Sequence, residues 1–553
     1  MGRWSIWNRW FWRCAVLCND NDVTQDDCYM TKDNKNGRPF RVLLIYANSY
    51  MDSLMPISVS SISGALKCAG IEVKLFDNTY YPPQDAETAS GDQARVSSLQ
   101  IPAFNYEKVA IRSKTTNVFE DFRKMVLDFR PDLIGLSAVE PTFLFGVKCL
   151  ETIRDLGIPA IVGGVHTIFS PDDVIKYDAV DMVCIGEGEE CVVELCRRMQ
   201  KGEDYSTVGN IWVKKPDGTI VRNPKTTVQD MCTLPVLDFS IFQPERIFRP
   251  MAGQIHRMLP IEFSRGCVYK CTYCSAPAFD QTFKEQGRWL RDKPMHQIFD
   301  EINFYIKTYK VEYFYFVSET FLAMPKARFN EFIERYKEVK LPFWFNTRPE
   351  TINEEVVAKL EEIGCHRISM GVEAGNEEYR KKMLKRPVSN KRIIEAAKIL
   401  EQSTIQFSVN NIIGFPDETR DMIFDTIKLN REFVADSHGC YLFQPYRGTW
   451  LHEYSVSKGY WPKDRLSIDL NLEPSLDMRS ITKEELKGLH RTFPLYIRFP
   501  EAEWPRIQRA EKFDDEGQAI FEDYGRIYRK KYFHSATLES PLVANNDHKE
   551  ITI

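Results

Sequence analysis

The chain has 553 residues, 43% of them hydrophobic and 12% aromatic, enough to fill two or more packed cores. A formal net charge of -5 gives no bulk attraction to nucleic acid or anionic lipid, which argues against a nucleic-acid partner. Fourteen cysteines, scattered and often inside apolar runs as at Cys184, Cys191 and Cys196, are those of a reduced protein, so a cytoplasmic setting is expected.

Residues 1–38 form an extension in which Trp4, Trp7, Trp10, Phe11 and Trp12 mingle with Arg3, Arg9 and Arg13. Such rings and cations suit a membrane interface, so peripheral membrane contact is one reading and an extension without catalytic role the other. The segment is too short to span a bilayer and lacks the apolar core of a signal peptide.

From residue 39 to about 205 short apolar runs alternate with helical patterns. Strands are expected at Arg41–Tyr46, Ile71–Phe76, Asp132–Ser137, Ala160–Gly163 and Met182–Ile185, with a helix over Ser58–Ala69 and a polar, flexible insertion near Asp85–Gln100. This is the pattern of a doubly wound α/β domain, which binds ligands beyond the carboxyl ends of its parallel strands. Those ends carry Ser137, then Gly163, Gly164 and His166, then Gly186 and Glu187 in Gly186-Glu187-Gly188-Glu189; glycines there let a large ligand approach the backbone. No dinucleotide fingerprint is present.

Residues 206–255 read as a linker holding a hairpin, with Pro216-Asp217-Gly218 as its turn. A second α/β unit is expected over 256–465, with its first strand at Ile261–Ser264 and five more at 311–317, 342–347, 366–372, 404–413 and 439–444. Residues 466–553 read as a C-terminal helical cap, with helices near Ile481–Phe493 and Phe513–Tyr532, and a tail expected to be disordered past Ser535.

The first strand of the second unit runs into Arg265-Gly266-Cys267-Val268-Tyr269-Lys270-Cys271-Thr272-Tyr273-Cys274, where three cysteines stand at C-x3-C-x2-C spacing. With fourteen cysteines this spacing arises by chance in about one chain in a hundred. Zinc would need a fourth ligand, for which His256 or His296 would have to serve outside the usual paired patterns. Three thiolates on one loop can instead hold three irons of a four-iron cluster and leave the fourth open to a cofactor.

This segment resembles the signature of the radical S-adenosylmethionine (SAM) superfamily, including the aromatic Tyr273 before the last cysteine. The resemblance implies a partial (β/α)6 barrel, a 4Fe-4S cluster on Cys267, Cys271 and Cys274, and SAM held at the open iron. It further implies a low-potential electron donor such as flavodoxin or ferredoxin. Strand ends that would hold SAM carry Glu319, Arg348, Glu373 and Asn410. Of these, Glu373 lies in Gly371-Val372-Glu373-Ala374-Gly375, similar to the family's SAM-contacting turn, whereas Ser318-Glu319 departs from the usual Gly-Gly-Glu. Catalysis is therefore expected to rest on the three cysteines and Glu373.

The first unit resembles the cobalamin-binding domain that precedes this barrel in one large subgroup. In that subgroup the nucleotide tail lies among turns such as those at Ser137, Gly163, Gly164, His166, Gly186 and Glu187. The D-x-H-x-x-G motif that gives cobalt a histidine is absent between Ala47 and Ser53, so cobalt is expected without a lower histidine ligand. The expected activity is methyl transfer to an unactivated carbon of a small-molecule substrate; oxidative cyclisation or rearrangement with the same cofactors, and a sensor without turnover, are the alternatives. The basic run Arg380–Arg386 is expected to be a solvated loop.

Overall fold

The computed structural model describes residues 38–84, 89–251 and 253–533. The first sheet contains β1 (Arg41–Tyr46), β2 (Glu72–Asp77), β3 (Leu133–Ser137), β4 (Ala160–Gly163), β5 (Met182–Cys184), β6 (Ile211–Lys214) and β7 (Ile220–Arg222), in the order β2-β1-β3-β4-β5-β6-β7. The first five are parallel, and their order places a topological switch between β1 and β3. The run Val42-Leu43-Leu44-Ile45 is buried throughout, because helices cover both faces: Val42 and Leu44 enter one core, Leu43 and Ile45 another.

The second sheet contains β8 (Phe248–Met251), β9 (Gln254–Glu262), β12 (Tyr313–Val317), β13 (Phe343–Thr347), β14 (Cys365–Glu373), β15 (Gln406–Ile413) and β16 (Ser437–Leu442); between β9 and β12 a short ribbon pairs β10 (Ser264–Arg265) with β11 (Arg291–Asp292). Its order is β16-β15-β14-β13-β12-β9-β8. From β9 to β16 the pairing is parallel, while β8 is antiparallel to β9. With β8 and β16 left as edges, this is an open (β/α)6 half-barrel. Along β15, Phe407, Val409, Asn411 and Ile413 are buried, whereas Gln406, Ser408, Asn410 and Ile412 are only half-buried and line a cavity. The core that contains Val42 and Leu44 continues through Phe263, Ile298, Phe316 and Phe332, so the two α/β units share one apolar interior.

The hairpin expected within 206–255 is present as β6 and β7 and joins the first sheet, β6 pairing antiparallel with β5, while β8, in the same stretch, extends the second. Three expectations are corrected. The first barrel strand begins at Gln254 and ends at Glu262; Ser264–Arg265 turns away to pair with β11 because the chain must leave the barrel to build the cysteine loop. The insertion near Asp85–Gln100 forms a helix, Gly91–Ser97, capped by Ser90. Beyond it Leu99 and Gln100 are buried, and Gln100 reaches the Cys440 N–H at 2.9 Å and His490 Nε2 at 3.1 Å; of this insertion, residues 85–88 lie outside the described residues. The first cap helix spans Lys483–Arg498, starting at a Thr482/Glu485 capping box and continuing through Pro494. The aromatic extension 1–37 and the tail past Ser535 lie outside the described residues. No described helix is long and apolar enough to cross a membrane.

Candidate functional site

The cysteine loop leaves β10 through Gly266, whose φ of +97° and close approach to Leu290 (a Cβ would lie 2.9 Å from its Cα) admit only glycine. The Gly266 N–H donates to the Glu319 carboxylate at 3.0 Å, so Glu319 braces the loop. The three thiols are free, with Cys271 buried and Cys267 and Cys274 half-buried. Thr272 ties the loop to the next barrel turns by donating its N–H to Leu384 O at 3.2 Å and its hydroxyl to Met383 O at 2.7 Å. Burial pushes the Cys274 thiol up to about 12 in the protein alone. Arg348, at the end of β13, donates to Cys271 Sγ at 3.1 Å; Glu350 holds its guanidinium at 2.5 Å, and Tyr269 of the loop lies under it at 3.6 Å.

Glu373 ends β14 with a φ of +72°, a conformation that costs a non-glycine residue energy and marks functional turns. The β14/β15 register slips between Gly371 and Glu373, a bulge that re-aims the side chain. A Cβ on Gly371 would lie 2.5 Å from Glu373 Oε1, so this glycine makes room for the carboxylate. Arg386 stands 3.8 Å from Glu373 Oε1 and donates to Gly371 O and, at 3.5 Å, to Tyr273 Oη. Burial raises the Glu373 pKa, and Arg386 and then Arg348 oppose it. The basic run is thus corrected: Arg380 and Arg386 are buried, Arg380 donating to Ala374 O and Val388 O, while Lys381, Lys382 and Lys385 remain open. Charge alone could not tell the two kinds apart.

At the ends of the first sheet, Ser137 meets Ser58 across 3.2 Å. Gly164 has a φ of +106°, and a Cβ there would lie 2.4 Å from Ala138 O. His166 is buried against Phe143 at 4.7 Å, and burial lowers its pKa to about 4, leaving it neutral. Gly186 packs on Asn210, which a Cβ would strike at 2.6 Å. Glu187 accepts from Arg265 at 2.6 Å, from Arg291 at 2.8 and 2.9 Å and from the Gln229 N–H at 2.7 Å. Its neighbour Glu189 accepts from Arg265 at 2.7 Å and Ser61 at 2.8 Å, and Glu262 completes the cage around Arg265 at 2.8 Å. Sequence reasoning missed Arg265, Arg291, Arg386 and Glu189; the one available signal was an arginine directly before Gly266-Cys267.

A cavity of about 1270 Å³ lies against the half-barrel strands and is lined also by the loop after β1. It exceeds the ~300–1,000 Å³ that holds a drug-sized ligand. Tyr273, Glu373 and Asn410 lie in its wall, together with Tyr106, Trp344 and Tyr532; the cysteines, Glu319, Arg348 and the turns after β3, β4 and β5 do not. Asn410 donates to Ser369 Oγ at 2.9 Å.

Two family models match the chain, the radical SAM superfamily over residues 261–429 and the B12 binding domain over residues 44–196. The chain thus joins a B12 binding domain to a radical SAM domain. An uncharacterized methyltransferase of Pyrococcus horikoshii is 23% identical over 69% of this chain and 81% of its own length. The anaerobic magnesium-protoporphyrin IX monomethyl ester cyclase of Rubrivivax gelatinosus is 24% identical over 61% of each. Among solved structures, the radical SAM methyltransferase TsrM of Kitasatospora setae, with cobalamin and a [4Fe-4S] cluster bound, superposes with a TM-score of 0.61 at 14% identity, covering 89% of this chain and 100% of that one. The cobalamin-dependent radical SAM enzyme OxsB gives 0.59 at 16%, covering 90% and 72%. These structural likenesses establish the fold.

The two domains make the protein a cobalamin-dependent radical SAM enzyme, with a 4Fe-4S cluster, SAM and cobalamin as its cofactors. The residues present fit these groups. Three free thiols on one loop are a soft donor set whose chemistry suits an iron-sulfur cluster. Beside the β3 and β4 ends, Thr142 Oγ1, His166 Nδ1 and Thr167 Oγ1 are buried without partners, an orphan set that a polar ligand seated there would satisfy.

Proposed function

We propose that this radical SAM enzyme transfers a methyl group to an unactivated carbon of a small-molecule substrate. When bound, its cofactors supply a hydrogen-abstracting 5'-deoxyadenosyl radical and a methyl group. The observation that carries the reading is the Arg265 cage: the residue two before Cys267 is held by Glu187 and Glu189 from the last turn of the first sheet. The cysteine loop and the proposed cobalamin-binding turns are therefore built as one unit, as a reaction using both cofactors on one substrate requires.

In this reading Cys267, Cys271 and Cys274 hold the cluster, and Arg348 stabilises the Cys271 thiolate through a charge-assisted hydrogen bond. Glu373, re-aimed by the bulge and steadied by Arg386, receives the ammonium group of SAM, with Asn410 and Tyr273 beside it. Gly163, Gly164, His166 and Ser137 border the cobalamin tail, whereas Glu187 acts through Arg265 and Arg291 rather than on the ligand. Methyltransferases among the relatives support the chemistry.

The test is anaerobic incubation of the reconstituted protein with SAM, cobalamin, a reductant such as reduced flavodoxin, and a metabolite extract. The expected result is 5'-deoxyadenosine together with S-adenosylhomocysteine and a metabolite heavier by one methylene unit, all abolished in Cys271→Ala. Loss of hydrogen or gain of oxygen in the product would replace methyl transfer with oxidative cyclisation, and no 5'-deoxyadenosine under any condition would indicate a sensor.

A further inference from the structure

The end of the cavity at the first residues of β13 and β14 differs in chemistry from the Glu373 end. On β13 and β14, Trp344 and Arg367 are register partners, and on β12 Tyr315 is the register partner of Trp344. The Tyr315 and Trp344 rings stack at 3.9 Å with an interplanar angle of 6°. From β8, Arg249 lies 5.2 Å over Trp344 and 5.9 Å over Tyr315. The aromatic platform therefore lies under Arg249 and beside the strand position of Arg367, and Trp344, Arg249 and Arg367 all line the cavity.

Both arginines lack the partner that a guanidinium in a protein wall normally has. Arg367 donates to Gln406 Oε1 at 3.0 Å and to Ser437 Oγ at 3.5 Å; the side-chain acceptor of Arg249 is the Met258 sulfur at 4.0 Å. Among the described residues no carboxylate forms an ion pair with either, although Asp436 and Asp52 share the wall. Asp436 accepts the Phe407 N–H at 2.8 Å and Asp52 the Leu54 N–H at 3.0 Å. Asp436 acts on Arg367 and Arg249 on Asp52 only through space, so both part-buried cations keep neutral hydrogen-bond partners, and their fork-shaped donors match carboxylate or phosphate oxygens.

We propose that this end of the cavity is an anion subsite and that the substrate is an elongated molecule with a carboxylate or phosphate group at one end. Arg249 and Arg367 bind the anion, and the Tyr315/Trp344 platform carries the adjoining part. Arg367 lies six residues before Glu373 along β14, about 20 Å at ~3.3 Å per residue, so the anion sits far from the reacting carbon. This last point rests on the reading of Glu373 as the SAM end.

The experiment is ligand-observed NMR on the full chain, cluster reconstituted and without SAM or reductant, using inorganic phosphate and propionate as separate probes. Binding of one probe is expected, weakened about tenfold to a hundredfold in Arg249→Met and Arg367→Met; the probe that binds tells phosphate from carboxylate. If the methionine variants do not melt cooperatively, Arg249→Lys and Arg367→Lys take their place, with a smaller weakening. No binding to the wild-type chain, or equal binding to wild type and variants, overturns the proposal. Because the readout involves no radical chemistry, its failure is separate from failure of methyl transfer.

Discussion

Two glutamate-bearing turns, Gly186-Glu187-Gly188-Glu189 and Gly371-Val372-Glu373-Ala374-Gly375, follow or end parallel strands and look alike as sequence. In the first, the carboxylates are spent on Arg265 and Arg291 at 2.6 to 2.9 Å, and the turn is a buried joint between two sheets. In the second, Glu373 takes a left-handed conformation, keeps its ion-pair partner Arg386 at 3.8 Å and faces a cavity. A carboxylate that fastens structure is saturated by close, hydrogen-bonded partners; one that awaits a ligand is held near a cation but left short of partners.

The sharpest way to break this contrast is Arg265→Met. It strands the carboxylates of Glu187, Glu189 and Glu262 with much of their compensation gone, and removing one side of a buried ion pair costs about 3–5 kcal/mol. Denaturant unfolding should show that loss, and an unchanged midpoint would mean the first turn is no joint. Glu373→Gln should do the reverse, leaving the midpoint in place while SAM affinity, followed by equilibrium dialysis, falls about tenfold to a hundredfold. The sign of its pH dependence follows from burial, which holds the Glu373 pKa above the ordinary 4.5. The carboxylate is lost on acidification earlier than an exposed one would be, so SAM binding should weaken as pH falls toward that raised value, and the limb should vanish in the glutamine variant.

A milder perturbation of the same turn is Gly371→Ala, whose methyl group would meet Glu373 Oε1 at 2.5 Å and push the carboxylate aside; a loss of SAM affinity of about tenfold is expected. The smallest effect should come from Arg348→Met, which removes one charge-assisted hydrogen bond to Cys271 Sγ. Hydrogen bonds to cluster sulfurs raise the potential, so a redox titration followed by electron paramagnetic resonance should find it about 50 mV lower. An unchanged potential would assign Arg348 to the loop's packing alone.

The strands of both sheets were legible because each is a short apolar run between turn residues, and periodicity survives without knowledge of neighbours. The Gly371–Gly375 turn was singled out by its resemblance to a family motif, and its Glu373 lies in the cavity wall. Arg386 was not, because it lies in a run with Lys381, Lys382 and Lys385 that reads as solvent-facing, and its burial depends on Glu373 and Tyr273 from other parts of the chain. Gln100 was hidden for the same reason: its partners His490 and Cys440 stand 390 and 340 residues away.

What the sequence determined by itself was local: three thiols on one loop, the alternation that makes two α/β units, and the glycine that lets the backbone turn left-handed into the cysteine loop at Gly266. What only the tertiary structure decided was which charges are spent and which are kept. Arg265 and Arg249 are the same residue type, yet one is enclosed by three carboxylates and the other lies over an aromatic platform with no carboxylate ion-paired to it among the described residues. Compensation of charge is a property of distances between segments remote in the chain, and composition and spacing carry no measure of those distances.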